Sequence, residues 1–169
     1  MEFLTRTNPF VLSSVFMTTL LDCTPQSFET ELMKISNLQN EPIYGLETVE
    51  EQMAFFDKIP YKIQAEELVK SVKNDFNADK KELQLLINAY RSKNLNEIQR
   101  LTSSSKSVLM NDYEDLLLNY RNKNWAQLIP KISSDQPTFY GVGAAHLFGK
   151  KGVINMLRDE GHTVEAIQH

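Results

Sequence analysis

Cysteine is almost absent from this 169-residue chain, in which Cys23 stands alone. A single thiol cannot form an intramolecular disulfide, and it excludes a zinc site built from several cysteines. Basic residues are not in excess, because 18 Lys and Arg face 22 Asp and Glu and the formal net charge is −4. Since no basic stripe is visible, nucleic acid is not an expected partner.

Long hydrophobic runs are missing as well, and no segment is apolar enough over sufficient length to span a membrane. The apolar segment 10–21 follows Arg6 and precedes Cys23, an arrangement that raises the interpretation of a lipoprotein signal. The residue directly before the cysteine is an aspartate, however, and a signal cleavage site needs a small residue there. The competing interpretation is an amphipathic helix with Asn8 as its N-cap and a proline at its first position.

Glycine does not occur between Leu46 and Tyr140, which favours a compact helical region. The expected helices run from Thr24-Pro25 to about Gln39, from the capping box of Thr48 and Glu51 to the break at Pro60, and repeatedly from Tyr61 to about Lys131. Residues 103–107 have the composition of a loop. The sequence predicts one domain, residues 1–169, with its helical region at about 48–133.

Three short segments, 41–46, 138–142 and 163–167, have the pattern of β-strands. The last two flank a helix predicted from about Lys150 to Glu160, with Gly161 as its C-cap. Strand, helix and strand in this spacing predict a parallel, right-handed βαβ unit. The expected fold class is therefore helix-rich α+β or α/β, with a small sheet of about three strands and a multi-helix insertion.

Histidine is scarce too, and His146 is the one best placed for chemistry among three in the chain. It follows segment 138–142 on a turn of small residues, which are Gly141, Gly143, Ala144 and Ala145. Functional groups of open α/β sheets gather at the carboxyl ends of strands. Imidazole is a common metal ligand and a general base near neutral pH. Taken alone, this turn still favours a structural histidine over a ligand.

Glu47 occupies the same kind of position, directly after segment 41–46. A carboxylate there can bind a hard cation or act as a general base, and it can equally be a helix-start carboxylate favoured by the helix dipole. Together, Glu47 and His146 indicate two metal-competent groups that converge if both segments join one sheet. Arg121 and Asn122 offer an anion clamp or a structural ion pair, and Trp125 is interpreted as a core residue.

Several segments resemble proteins of the TraB/PrgY/GumN family, in order along essentially the whole chain. They are Asn8-Pro9-Phe10, Gly45 to Gln52, Tyr120-Arg121-Asn122 with Trp125, the Gly-x-x-His motif Gly143 to His146 with the helix that follows it, and Gly161 to Glu165. That family is related to the Tiki metalloproteases and to the erythromycin-esterase/ChaN-like fold. The resemblance therefore implies a partial domain of that fold.

The resemblance also implies a function, a divalent-metal-dependent, peptidase-like hydrolase. Glu47 and His146 would be catalytic and would bind a metal such as Mn²⁺ or Co²⁺, while Gly143 and Arg121 would support the site or bind substrate. The family implies an alternative as well, a non-catalytic peptide-binding or regulatory protein of the pheromone-inhibitor kind. A third interpretation gives Glu47 and His146 purely structural roles. The family implies the cell envelope or periplasm as location, with any signal before Met1.

One family motif has no counterpart in this sequence, an earlier Gly-x-x-His on the first strand. The expectation is a metal site of which one ligand and part of the sheet are missing. A three-stranded sheet with an unpaired edge would favour a homo-oligomer or a strand-swapped dimer.

Overall fold

The computed structural model describes residues 7–167 of the chain. The helices extend over Pro9–Thr19 (α1), Phe28–Gln39 (α2), Val49–Asp57 (α3), Tyr61–Lys73 (α4), Asn77–Arg91 (α5), Leu95–Ser103 (α6), Val108–Asp112 (α7), Tyr120–Asp135 (α8) and Val153–Asp159 (α9). A π-helical segment, Asp115–Asn119, precedes α8, and a 3₁₀ turn, Ala144–His146, precedes α9. The chain divides into two compact units, Met1–Lys80 and Lys81–His169.

The local helix-start signals of the sequence are largely confirmed. The Asn8 side chain accepts a hydrogen bond from the backbone of Phe10 at 2.8 Å, and α1 follows. Thr48 and Glu51 form the predicted reciprocal capping box at the start of α3. The predicted start of α2 at Thr24 is wrong, because Ser27 caps that helix instead. Arg6, where the signal-like interpretation begins, lies outside the described residues.

The predicted sheet is wrong: residues 7–167 contain no strand, so neither the three-stranded sheet nor the βαβ unit is present. Among the described residues, no backbone–backbone hydrogen bond joins any two of the segments 41–46, 138–142 and 163–167, and the Glu41 N–H donates to the Ser36 carbonyl in α2. Their large side chains are exposed, with Tyr44 at 75%, Phe139 at 78% and Ile167 at 81%. An alternating pattern favours extended backbone, but a strand forms only where a neighbouring strand satisfies its polar groups.

The helical character of the middle of the chain is confirmed, and α6 ends at Ser103, the first residue of the predicted loop 103–107. The helix predicted over Lys150 to Glu160 is shorter, Val153–Asp159. Gly161 follows it with a φ of 89°, the left-handed conformation that its predicted capping role requires. None of the described helices is long and apolar enough to cross a membrane, which agrees with the prediction.

The N-terminal unit is held together around one buried amide, Gln64 on α4. Its side-chain nitrogen donates to the carbonyls of Phe56 and Ile59 at 3.1 and 2.8 Å. Its oxygen accepts from the backbone of Phe10 at 3.2 Å, and the Phe10 ring stacks on Phe56 with centroids 4.0 Å apart. The amide thereby ties α1, the end of α3 and α4 together without leaving a buried polar atom unpaired.

The C-terminal unit has two groups of buried apolar residues. One consists of Ala89, Ile98 and Leu101, against which Ala144 and Phe148 pack. The other buried apolar residues of this unit are Leu117, Leu118, Trp125, Ala126 and Val153. Through Ala144, the turn that carries His146 is anchored on α5 and α6.

Candidate functional site

His146 lies at the end of the 3₁₀ turn and is buried, with 6% of its surface exposed. Its backbone N–H donates to the carbonyl of Gly143 at 2.9 Å, and the N–H of Leu147 donates to Ala144 at 3.1 Å. The tight turn predicted from the small residues is therefore present, although no strand precedes it. This turn directs the imidazole toward α8.

Asn122 fixes the orientation of the imidazole. Its side-chain nitrogen donates to the carbonyl of Lys151 at 2.8 Å, so its oxygen must face the His146 ring. That oxygen lies 2.6 Å from Nδ1 of His146. Because an amide oxygen only accepts, Nδ1 carries the proton, and the lone pair of the neutral ring lies on Nε2.

Arg121 occupies the other side of the ring. Its Nη1 atom lies 3.2 Å from Nε2 of His146 and donates to the carbonyl of Leu117 at 3.1 Å. The guanidinium carbon lies 4.9 Å from the centroid of the Trp125 ring, which itself lies 4.5 Å from the His146 ring. Since a guanidinium only donates, Nε2 accepts this hydrogen bond, in agreement with the proton on Nδ1.

The electrostatics of this cluster keep His146 neutral. Burial and the nearby positive charge of Arg121 together lower the pKa of His146 from 6.5 to about 4. Burial is the larger cause, because transfer out of water disfavours the charged imidazolium. At neutral pH the ring is therefore a neutral donor at Nδ1 and a neutral acceptor at Nε2.

The π-helical segment and Lys151 hold the start of α8, which carries Arg121 and Asn122. The N–H of Tyr120 bonds to the carbonyl of Asp115, five residues earlier, which is the spacing of a π-turn. The ammonium of Lys151 lies 2.6 Å from the Asp115 carboxylate, while the Lys151 carbonyl holds Asn122. Lys151, which follows the histidine turn, thus contacts the π-helical segment through its side chain and the first turn of α8 through its carbonyl.

The predicted site residues fall in both units. Gly143, Arg121 and His146 come together in the C-terminal unit. Glu47 belongs to the N-terminal unit, where it is half-buried directly before the N-cap Thr48. A Cβ on Gly45 would lie 2.6 Å from the carbonyl oxygen of Glu47, so the backbone turns tightly between these two residues and leaves no space for a side chain at Gly45. The role of Glu47 stays a prediction.

His146 fits a divalent metal as one ligand. A metal-binding imidazole is neutral, and it donates its second N–H to an oxygen that fixes its orientation, as Asn122 does here. Among residues 7–167, however, no three His, Cys, Asp or Glu side chains lie together as a full ligand set would. The cluster thus supplies one oriented donor nitrogen.

The sequence did not predict the contact between Asn122 and His146, since it gave Asn122 only a role with Arg121, as an anion clamp or a structural ion pair. A polar residue on a helix carries no local sign that it will be buried, and Asn122 is only 1% exposed. Trp125 is buried as predicted, and its indole N–H has no hydrogen-bond partner within the described part of the chain. A side chain or bound oxygen that accepts from it would complete the cluster.

Comparison with known proteins identifies the family of this chain. The model of the TraB/PrgY/gumN family matches residues 2–166, and the match includes Gly143, His146, Arg121 and Glu47. No curated protein and no solved structure matches. Because the family match covers nearly the whole sequence, the chain belongs to the TraB/PrgY/gumN family.

Proposed function

We propose that this protein is a divalent-metal-dependent, peptidase-like hydrolase in which His146 is a metal ligand. The observation that carries the proposal is the Asn122–His146 hydrogen bond of 2.6 Å inside a buried cluster. It keeps the ring in the tautomer whose Nε2 lone pair can bind a metal. The low pKa of about 4 keeps protons from competing for that lone pair at neutral pH.

The remaining roles follow the family resemblance. Glu47 is proposed as a second ligand, and Gly143 and Arg121 as residues that support the site or contact substrate. A bound Mn²⁺ or Co²⁺ would act as a Lewis acid and lower the pKa of its water. Gly143 has an ordinary φ of −61°, and a Cβ there would make only a normal contact of 3.7 Å with His146. Its missing side chain therefore leaves space beside the imidazole.

Metal titration by calorimetry tests this proposal. The full chain should bind Mn²⁺ or Co²⁺, and His146→Ala should abolish the binding heat. His162→Ala removes an exposed histidine and should leave binding unchanged. Glu47→Gln should weaken binding if the carboxylate is a ligand. Absence of binding by the wild type, or unchanged binding by His146→Ala, would overturn the proposal.

A second candidate function is peptide binding without hydrolysis, and a specific observation favours it. Nε2 of His146 already accepts a hydrogen bond from Arg121 at 3.2 Å, so both ring nitrogens of this histidine are satisfied without a metal. Fluorescein-labelled tryptic casein peptides distinguish the two functions. A hydrolase shortens them in a manner that requires His146 and metal. A binding protein retains them intact, with an affinity that survives His146→Ala.

A further inference from the structure

We propose that Arg121 competes with the metal for Nε2 of His146, so that Arg121 must swing away before a metal binds. This inference rests on the proposed function, because it concerns the same metal-binding nitrogen. It reverses the role that the family resemblance implies for Arg121. Instead of only supporting the site, its guanidinium limits metal affinity.

The first step of the argument is that His146 has one available lone pair. Asn122 holds the proton on Nδ1 through the 2.6 Å contact, and its own orientation is fixed by the Lys151 carbonyl at 2.8 Å. The imidazole therefore cannot offer Nδ1 to a metal without losing its hydrogen bond to Asn122, and the other tautomer would set an N–H on Nε2 against the Arg121 donor. Only Nε2 remains.

The second step is that Arg121 already uses that lone pair. Nη1 lies 3.2 Å from Nε2, and the same nitrogen also bonds to the Leu117 carbonyl at 3.1 Å. The guanidinium carbon of Arg121 also lies over the Trp125 ring, 4.9 Å from its centroid. Arg121 is thus held at this position by contacts independent of His146, and it stays there unless something displaces it.

The third step is that a guanidinium and a divalent cation cannot share this nitrogen. One lone pair forms one bond, and a metal ion at a ligand distance of about 2.0–2.2 Å would also face the positive charge of Arg121 at close range. Removing the guanidinium relieves both the competition and the repulsion. Because a hydrogen bond from a charged group contributes about 1.5–3 kcal/mol, the metal affinity should rise by about tenfold or more.

Calorimetric titration with Mn²⁺ alone tests the inference on the full chain. Arg121→Ala should bind Mn²⁺ at least about tenfold more tightly than the wild type does, as the loss of one charged hydrogen bond predicts. Lys123→Ala is the matched control, since it removes an exposed positive charge two residues away and should leave the affinity unchanged. Arg121→Gln, which keeps a neutral side chain of similar shape, replaces Arg121→Ala if circular dichroism shows that the alanine variant is unfolded.

The outcomes separate this inference from the function on which it rests. Measurable Mn²⁺ binding by the wild type, with tighter binding by Arg121→Ala or Arg121→Gln, supports both. Equal or weaker binding by these variants, beside measurable binding by the wild type, overturns the competition and leaves His146 as a ligand. No binding by wild type or by either folded variant overturns the metal site itself, and the competition with it. An increase of the same size in the Mn²⁺ affinity of Lys123→Ala would show a general charge effect and would also overturn the competition.

Discussion

Asn122 and His146 are joined by a buried hydrogen bond of 2.6 Å between the side-chain oxygen of one and Nδ1 of the other. This bond is the middle of a chain that begins at the Lys151 carbonyl and ends at the Arg121 guanidinium. Each member limits what the next can do: the Lys151 carbonyl orients the amide, the amide oxygen accepts from Nδ1 and keeps the proton there, and the ring then offers the Nε2 lone pair. A buried polar network of this kind is stable only when every member is satisfied.

Replacement of Asn122 by Ala should therefore destabilise the protein and allow the His146 ring to carry its proton on either nitrogen. The change leaves Nδ1 of His146 and the Lys151 carbonyl without their partners, which costs about 1–3 kcal/mol for each buried group. Chemical denaturation measures the loss, and ¹⁵N spectra of the imidazole show whether both tautomers are then populated. Asn124→Ala is the control on the same helix, since Asn124 is exposed. Equal stability of the two variants would contradict the account.

The stability of the protein should fall as the pH drops from 6.5 to about 4. In this range an unfolded histidine takes up a proton, whereas His146 in the fold stays neutral because its pKa is lowered to about 4. The contribution is fully present above pH 6.5, and about 3 kcal/mol is lost by pH 4, since each pH unit corresponds to about 1.4 kcal/mol. Denaturation at several pH values, compared with His146→Gln, isolates this histidine. Parallel pH profiles of the two proteins would refute the prediction.

Gly152 should tolerate no side chain, although its φ is an ordinary −77°. A Cβ at this position would overlap the carbonyl oxygens of Leu147 and Phe148, which belong to the backbone and cannot move aside easily. Gly152→Ala should cost about 1–3 kcal/mol, as overpacking does. Gly143→Ala meets only the His146 ring at 3.7 Å and should be nearly neutral in thermal denaturation. The prediction fails if the order of the two melting temperatures is reversed.

In the N-terminal unit, Gln64→Leu should be strongly destabilising despite its similar volume. The change leaves the Ile59 carbonyl without its Gln64 donor, and it removes one of two hydrogen bonds from the Phe56 carbonyl and from the Phe10 N–H, which keep Ile59 and Asn8 as partners. The expected cost is at least about 2 kcal/mol, because one buried carbonyl loses its partner and two further backbone groups each lose a hydrogen bond. Gln84→Leu, at an exposed position of α5, is the matched control in urea denaturation. A cost for Gln64→Leu no larger than that control would show that the amide network contributes little.

The sequence predicts those features whose physical cause is local. Asn8 and Thr48 act on backbone groups two or three residues away, so their capping roles are visible in the pattern. Segment 138–142 fails as a strand because its alternating pattern says nothing about which other segment satisfies its backbone. The Arg121–His146 contact joins residues 25 positions apart, so only the packing of α8 on the histidine turn reveals it.

The most direct test of the central claim, that His146 is a metal ligand through Nε2, is the paramagnetic effect of Mn²⁺ on the imidazole signals. Added in small amounts to the full chain, Mn²⁺ should broaden the signals of His146 first and leave those of the exposed His162 sharp. The account predicts that this selective broadening persists in His162→Ala and grows in Arg121→Ala. Broadening of His162 alone, or no broadening at His146 in either protein, would contradict it.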